Sequence, residues 1–595
     1  MAALPMFDYI FAFGLIFAFL DAWNIGANDV ANSFATSVSS RSLTMKQAML
    51  IATVCEFGGA VLAGSRVADT IRNKVISVNS FEGNPSVLML GMLCALVGSS
   101  LWLTLATKIG LPVSTTHSIV GGIIGVGIAA IGADGVQWGW NGVSQIFAAW
   151  FIAPGIAGAF AVIVFLITKY GVLERKDPLR KGLWMIPVYF GVTAAVLTMV
   201  IVWKGAASLD LDDWTAGQIV GCVFGVAGGV IALYTIFLLP FLYRRLVLDD
   251  WTLKSWEVIK GPLLWKRGPV PEVPEGVRKQ VVQDYYRGHA NPHTNPILAN
   301  TVPGDPTTQA ADMEKHHDNP VAPALSNSSA SSTHGVEAQP STPQALSQQE
   351  AFRTESFKDP ALSAQGMYAR AKYYILRGVK RDVVAEQVGT NGKPKGFAAS
   401  FLAKDLTKMH DHVKHYDNKT EHLYSFLQVM TAATASFAHG ANDVSNAIGP
   451  LSAIYLIWNS GETSSKSPVP IWILVFGGAA ISIGLWTYGY NLIINLGNRL
   501  TLHSPSRGFS MELGAALTVI LATRLGLPIS TTQCITGATV GVGLCSGTWR
   551  AINWRMIGWI YMGWIVTLPI AGIISGGLMG IIINAPRWGL QPSEI

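Results

Sequence analysis

Long apolar runs separated by short polar segments make up residues 1–243 and 423–595. A transmembrane helix needs about 20 predominantly apolar residues, and several runs are long enough for two passes or a helical hairpin. The pattern predicts an all-α polytopic membrane protein with about twelve transmembrane helices. The runs cover residues 7–38, 47–65, 86–107, 111–131, 143–168, 183–203, 215–243, 423–457, 468–497, 509–548 and 554–583.

The composition supports this class of protein. Of 595 residues, 50% are hydrophobic and 13% are charged, a balance that is typical of a polytopic membrane protein and not of a soluble enzyme. All five cysteines lie in apolar runs without a CxxC pairing, so we expect packing thiols rather than disulfides or metal ligands. The formal charge of +6 is spread over loops and indicates no nucleic-acid partner. The first eight residues carry no basic residue, and we expect no cleavable signal peptide.

A hydrophilic segment at residues 244–422 separates the two apolar regions. Its middle part, residues 290–350, is rich in Pro, Ser, Thr, Gln, Asn and Ala and is expected to be disordered, because it cannot bury enough apolar surface to fold. We therefore divide the chain into an N-terminal transmembrane repeat with linking helices (1–243), a large hydrophilic loop (244–422) and a C-terminal transmembrane repeat (423–595).

The charges of the short loops predict the orientation. Residues 169–182 carry five basic residues, whereas residues 205–214 carry three aspartates and no Lys or Arg. Loops rich in Lys and Arg face the cytoplasm. This places the large loop in the cytoplasm after seven crossings and both termini outside the cell.

Two sequence motifs occur once in each half of the chain. "GANDVAN" at 26–32 returns as "GANDVSN" at 440–446, and "LATKIGLPVSTTH" at 105–117 returns as "LATRLGLPISTTQ" at 521–533 with nine of thirteen positions identical. The order and spacing of the motifs are kept, which indicates a duplication. Since an odd number of crossings precedes the loop, the second copy enters the membrane from the opposite side. Such inverted repeats are common in transporters, with the substrate site near the midplane.

Each motif carries its own binding chemistry. In the first, the glycine is expected to permit a helix break, and Asn28, Asp29 and Asn32 offer oxygen ligands that suit Na⁺ or another hard cation. In the second, Gly-Leu-Pro is expected to end one helix before Ser114, Thr115 and Thr116. A helix that begins there would aim free backbone N–H groups at an anion, and two such tips would suit phosphate or sulfate.

The motifs contain neither Lys nor Arg. Asp29 and Asp443 would therefore repel an anion unless cations lie between them, which predicts symport. Lys108 and Arg524 remain an alternative source of positive charge, although we expect them nearer the membrane surface. Four further polar residues have no counterpart in the other repeat. Glu56 and Glu512 are either ion-pathway carboxylates or structural partners, and His117 and His439 are interpreted as structural histidines, with a proton-sensitive role as the alternative.

The four motif sequences and "SPSRGFSMELG" at 504–514 resemble the inorganic phosphate transporter (PiT) family, and most of all its fungal sodium-coupled symporters. The resemblance implies inverted repeats, each with a re-entrant helical hairpin, and a sodium-coupled symporter that imports phosphate across the plasma membrane by alternating access. It implies co-transported Na⁺ and no resident cofactor, and it leaves a homodimer open. The implied phosphate ligands are Asp29, Asn32, Ser114, Thr115, Thr116, Asp443, Asn446, Ser530, Thr531 and Thr532. The implied sodium ligands are Asn28, Asp29, Asn442 and Asp443, and Glu56 and Glu512 match transport carboxylates.

Three alternatives remain at this point. A transporter of another oxyanion, or one coupled to protons, would use the same donors. A phosphate sensor without transport would also retain the site. An intramembrane aspartyl protease would need both aspartates at one water, but the usual Gly-x-Gly-Asp setting is missing and the duplicated Ser-Thr-Thr would be unexplained. We therefore expect a transporter and no enzymatic activity.

Overall fold

The computed structural model describes residues 3–65, 75–76, 78–81, 83–140, 142–202, 214–273, 282–287, 351–360, 363–379, 406–463, 469–525, 527 and 529–585. The segment 290–350, for which the sequence predicts disorder, lies outside the described residues. Within the described part, regular structure is helical apart from one isolated antiparallel bridge between Ile76 and Val136. The prediction of an all-helical protein is therefore confirmed for these residues.

Most of the α-helices follow the apolar runs, with short 3₁₀ and π-helical turns between them, and α10 and α11 lie in the hydrophilic segment. They are α1 (Asp8–Asn28), α2 (Val30–Ser39), α3 (Met45–Ala63), α4 (Pro85–Ile109), α5 (Thr115–Ile131), α6 (Val143–Thr168), α7 (Pro178–Val202), α8 (Ala216–Leu233), α9 (Leu239–Leu242), α10 (Ala364–Leu376), α11 (Leu406–His410), α12 (Asn418–Ser460), α13 (Ile471–Gly484), α14 (Tyr490–Leu500), α15 (Pro505–Arg524), α16 (Thr531–Leu544) and α17 (Trp554–Asn584).

Eight helical stretches of the described residues are long and apolar enough to cross a membrane. The first joins α1 and α2 over Pro5–Ser39, and the last is α17. The protein is thus a multi-pass membrane protein. Helices α5 and α16, which follow the two Ser-Thr-Thr motifs, are shorter than these eight stretches, with 17 and 14 residues.

Helix α12, with 43 residues, defines the two ends of the molecule. At its start, Tyr286 of the hydrophilic loop donates a hydrogen bond to Glu421 at 2.9 Å, and this end is called the loop end. At its finish, the indole of Trp458 donates to Asp8 at 2.8 Å, and this end is called the N-terminal end. Asp8 and the described loop residues 282–287 therefore lie at opposite ends of the helical body.

Two helix pairs enter the centre of the body from opposite ends. The pair α4–α5 comes from the N-terminal end, since Ser100 on α4 donates to the Phe17 carbonyl on α1 at 3.1 Å. The pair α15–α16 comes from the loop end, where the Ser506 amide on α15 donates to Glu421 at 2.8 Å. The turn of each pair faces the "GANDV" motifs in the middle. We call α4–α5 and α15–α16 the first and second hairpins.

The motif glycines serve close packing. Helix α12 continues through Gly440, so the expected helix break is wrong for the second motif. In the first motif the interruption is limited to Asp29, which lies between α1 and α2, keeps αR geometry and bonds through its amide to the Ile25 carbonyl at 2.8 Å. A Cβ on Gly26 would lie 1.9 Å from the Ile481 carbonyl oxygen, and a Cβ on Gly440 would lie 2.3 Å from that of Glu56. Glycine is needed because another helix backbone passes directly over it.

This packing predicts that Gly440→Ala will lower the thermal unfolding temperature of the purified protein by several degrees. The added methyl would have to displace the backbone of α3, and overpacking of this kind costs about 1–3 kcal/mol. Gly155→Ala on α6 is the matched control, since nothing lies within 4 Å of its Cβ position. That variant should unfold at or slightly above the wild-type temperature. Equal unfolding temperatures for the two variants would contradict this account of Gly440.

Candidate functional site

Two buried aspartates form the centre of the site, each with threonine donors from the hairpin turns. Thr115 donates to Asp29 at 2.7 Å and Thr531 donates to Asp443 at 3.1 Å, which are equivalent contacts in the two repeats. Thr532 also donates to Asp29, at 3.2 Å, and so joins the second hairpin to the first repeat. Both aspartates are 1% exposed, so these hydroxyls replace the water that would otherwise solvate them.

The motif asparagines cross between the repeats in the same way. Asn32 on α2 donates to Thr532 of the second hairpin at 2.7 Å. Asn446 on α12 donates to Thr115 and Thr116 of the first hairpin, each at 3.1 Å. Each "GANDV" motif therefore contacts the hairpin of the other repeat. Spacing along the sequence alone could not have shown this exchange.

The two serines of the hairpin turns cap the helices that follow them. The Ser114 hydroxyl accepts from the His117 amide at 3.2 Å, and the Ser530 hydroxyl accepts from the Gln533 amide at 3.4 Å. Helices α5 and α16 thus begin beside the aspartates. The positive ends of two helix dipoles are directed at the same centre, which favours a bound anion.

The remaining motif asparagines, Asn28 and Asn442, contact residues of their own repeat. Asn28 donates to the Thr107 hydroxyl at 3.0 Å and to the Leu111 carbonyl at 3.2 Å, and it accepts from the Val113 amide at 3.2 Å. It therefore fixes the first hairpin turn against α1. Asn442 donates to its neighbour Asp443 at 2.6 Å.

His439 links Glu56 to the central aspartates. Its Nδ1 lies 2.7 Å from Glu56, and its Nε2 lies 2.9 Å from Asp443. Ser436 also donates to Glu56, at 2.8 Å. A structural role was expected for His439, and the structure instead places it between Glu56 and Asp443. The i,i+4 spacing of His439 and Asp443 in the sequence could have indicated this contact, because it puts both on one helix face.

Glu512 is buried in a separate polar cluster toward the loop end. Its carboxylate accepts from Thr36 at 2.5 Å, Ser37 at 2.6 Å, Thr431 at 2.6 Å and Gln428 at 3.1 Å. These four donors belong to α2 and α12, so the cluster ties α15 to both. Asn32 lies on α2 as well, so this helix connects the Glu512 cluster to the central aspartates.

His117 and Lys108 lie apart from the aspartates. His117 accepts a hydrogen bond from the Trp150 indole at 2.9 Å, as expected for a structural histidine. Lys108 is exposed on α4, and the side chain of Arg524 lies outside the described residues. The alternative in which Lys108 supplies charge to the site therefore gains no support from its position.

The central cluster is suited to cations as well as to an anion. One ligand atom each from Asp29, His439 and Asp443 lie within 4.8 Å of one another. The carboxylate oxygens are hard ligands of the kind that alkali and alkaline-earth cations prefer. The hairpin amides and hydroxyls are donors of the kind that an oxyanion needs. Both types of ligand thus meet at one place.

Comparison with known proteins identifies the family. Residues 25–575, which include both copies of both motifs, match the family model described as "Phosphate transporter family". The chain belongs to this family. Its members are transporters, so the chain is a transporter and not an enzyme, and the family resemblance of the motifs is confirmed.

Curated members of the phosphate transporter family match the chain over nearly its whole length. The phosphate-repressible phosphate permease pho-4 of Neurospora crassa is 53% identical over 98% of this chain and 99% of its own. Sodium-dependent phosphate transporter 2 of Xenopus tropicalis is 31% identical over 94% and 95%. Sodium-dependent phosphate transporter 1-A of Danio rerio is 32% identical over 96% and 94%.

A solved structure shares the fold. It is described as "The sodium-dependent phosphate transporter" and superposes with a TM-score of 0.57 at 24% identity, covering 97% of this chain and all of that one. The helical arrangement of this member of the phosphate transporter family is therefore that of a known transporter fold.

The donor set around Glu512 predicts that Glu512→Gln will lower the thermal unfolding temperature. The amide nitrogen of the glutamine would face hydroxyl donors, and each lost hydrogen bond to a buried group costs about 1–3 kcal/mol. Glu462→Gln, at an exposed position, is the matched control and should unfold with the wild type. A Glu512→Gln protein as stable as the control would show that the four donors do not stabilise a charged carboxylate.

Proposed function

We propose that the protein is a sodium-coupled symporter that imports inorganic phosphate by alternating access. The observation that carries the proposal is the meeting of two hairpin turns, from opposite ends of the molecule, at a pair of buried aspartates. The hairpins supply hydroxyl and amide donors for an anion, while the aspartates supply negative charge. These two features are compatible in one site when cations bind together with the anion.

The phosphate would be held between the two repeats. Its oxygens would accept hydrogen bonds from the first amides of α5 and α16, from the threonine hydroxyls and from the asparagine amides. The proposed ligand set is Asp29, Asn32, Ser114, Thr115, Thr116, Asp443, Asn446, Ser530, Thr531 and Thr532. A protonated phosphate oxygen would donate to an aspartate. The crossed contacts of Asn32 and Asn446 explain why both repeats are needed.

Sodium binding would precede phosphate binding. Two unit negative charges about 5 Å apart repel by roughly 3 kcal/mol at an effective dielectric constant of about 20, and a phosphate would add to that repulsion. Sodium ions near Asn28, Asp29, Asn442 and Asp443 would reverse the sign of the interaction. The names of the Xenopus tropicalis and Danio rerio relatives support sodium as the coupling ion.

Alternating access would follow from the hairpin arrangement. The first hairpin would separate the site from the N-terminal end and the second from the loop end, with both hairpins re-entrant in a membrane domain of about twelve elements. Glu56 joins α3 to α12, Glu512 joins the second hairpin to α2 and α12, and we assign both to the transport pathway. We place the protein in the plasma membrane with residues 244–422 in the cytoplasm and both termini outside.

The proposal predicts phosphate uptake that depends on sodium. Purified protein in liposomes should accumulate labelled phosphate under an inward Na⁺ gradient and much less under an equal K⁺ gradient. Asp29→Asn and Asp443→Asn should each reduce uptake at least tenfold, because the amide removes the charge that holds sodium. Asp134→Asn, at an exposed aspartate, is the matched control and should retain wild-type uptake.

The same assay separates the alternatives. If a proton gradient drives phosphate uptake without Na⁺, the coupling ion is the proton and not sodium. His439, which lies between Glu56 and Asp443, could then carry the proton. Equal competition by unlabelled sulfate would point to a general oxyanion transporter. Wild-type uptake by both aspartate variants would contradict the proposed site.

A further inference from the structure

Asp21 differs from every other buried carboxylate in the described part of the chain. Eight carboxylates are buried there, and seven of them each accept at least two hydrogen bonds or ion pairs of 3.2 Å or less. The seven are Asp29, Glu56, Asp250, Glu257, Glu421, Asp443 and Glu512. Asp21 is fully buried, its Oδ1 lies 3.4 Å from the Ser100 hydroxyl, and its Oδ2 has no hydrogen-bond partner.

Two serine hydroxyls lie beside Asp21, and each has a closer partner. Ser100 donates to Asp21 Oδ1 at 3.4 Å and to the Phe17 carbonyl at 3.1 Å, and Ser99 donates to the Ser118 hydroxyl at 3.0 Å. The hydroxyl oxygens therefore leave lone pairs beside the carboxylate. A bare carboxylate in an apolar bundle is costly unless a cation or a proton neutralises it. The surroundings of Asp21 are those of a cation ligand.

The helices that pack on α1 bring no opposite charge to Asp21. Lys108 is the one charged residue of α4 and is exposed near the hairpin turn, and α13 has no charged residue. The titratable groups of α12 nearest to α1, His439 and Asp443, contact Glu56 and the hairpin threonines. No ion pair in the described residues includes Asp21.

A polar seam connects Asp21 to the candidate site. Asp21, Asn24 and Asn28 are three and four residues apart, so they share one face of α1. Asn24 donates to the Ser100 carbonyl at 3.3 Å and to the Thr104 hydroxyl at 3.0 Å. One turn further, Asn28 meets Thr107 as described above. The seam thus runs between α1 and α4, over about 12 Å of helix, and ends beside Asp29.

The seam belongs to the first repeat alone. Under the offset that aligns the "GANDV" motifs, Asp21 and Asn24 correspond to Ala435 and Ala438. The polar route therefore leads toward the N-terminal end, and alanines occupy the repeat-related positions of α12. Under the proposed orientation, that end faces the outside of the cell, from which the coupling cation enters.

We propose that Asp21, with the oxygens of Ser99 and Ser100, binds a monovalent cation at the outer end of this seam and supplies it to Asn28 and Asp29. The ligand is Na⁺ or H⁺, which neutralise the carboxylate in the same way. The binding step stands on the Asp21 geometry alone, whereas the delivery step rests on the proposed symport function.

Equilibrium binding of labelled Na⁺ without phosphate tests the site in the purified full-length protein. If the ligand is sodium, Asp21→Asn will bind one Na⁺ fewer per protein than the wild type. Ser100→Ala should keep that ion but bind it more weakly. Asp8→Asn, on the same helix at an exposed position, is the matched control and should bind the wild-type number of ions.

Infrared difference spectroscopy provides the second measurement. If the ligand is a proton, Asp21→Asn will keep the full sodium count and lose one protonated-carboxyl C=O band. Asp21→Asn should unfold near the wild-type temperature in Na⁺-free buffer, since the amide has the size of the carboxyl group and Asp21 has one hydrogen bond of 3.4 Å to lose. An unchanged sodium count together with an unchanged carboxyl spectrum would overturn the proposal. Both measurements are made without phosphate, so their result is independent of whether sodium-driven uptake is observed.

Discussion

The burial of two neighbouring aspartates, Asp29 and Asp443, in an apolar helical body is the constraint on which the rest of the structure depends. Asp443 lies within the continuous helix α12, and Asp29 lies at the one-residue junction between α1 and α2. Hydroxyl donors come from the hairpin turns, with Thr115 and Thr531 in equivalent positions. The hairpins must therefore reach the centre, and the helices that carry the aspartates must pack tightly enough to exclude water.

Close backbone packing makes this arrangement possible. Gly26 lies directly against α13 and Gly440 directly against α3, so each motif helix approaches a neighbour at a distance that a side chain would prevent. The crossed hydrogen bonds from Asn32 and Asn446 then join each repeat to the other hairpin. Neither half of the chain contains a complete site. A change that separates the repeats would expose the aspartates and remove their donors together.

The two repeats are equivalent in their motifs but differ around them. Glu56 reaches the centre through His439, whereas Glu512 is held by hydroxyls and an amide nearer the loop end. Asp21 and its seam occur toward the N-terminal end alone. The proposed symport would use such differences, because binding from outside and release inside are different steps. In that proposal the duplicated motifs hold the shared substrate, and the residues without a counterpart distinguish the two sides.

The sequence by itself determined the membrane class, the duplication and the motif aspartates of the central cluster, because hydropathy and motif spacing are local properties. The tertiary structure decided which groups meet: Asn32 with Thr532, 500 residues away, and Glu56 with His439, 383 residues away. It also corrected the role of the motif glycines. Such pairings depend on how distant helices pack, and no local pattern specifies that packing.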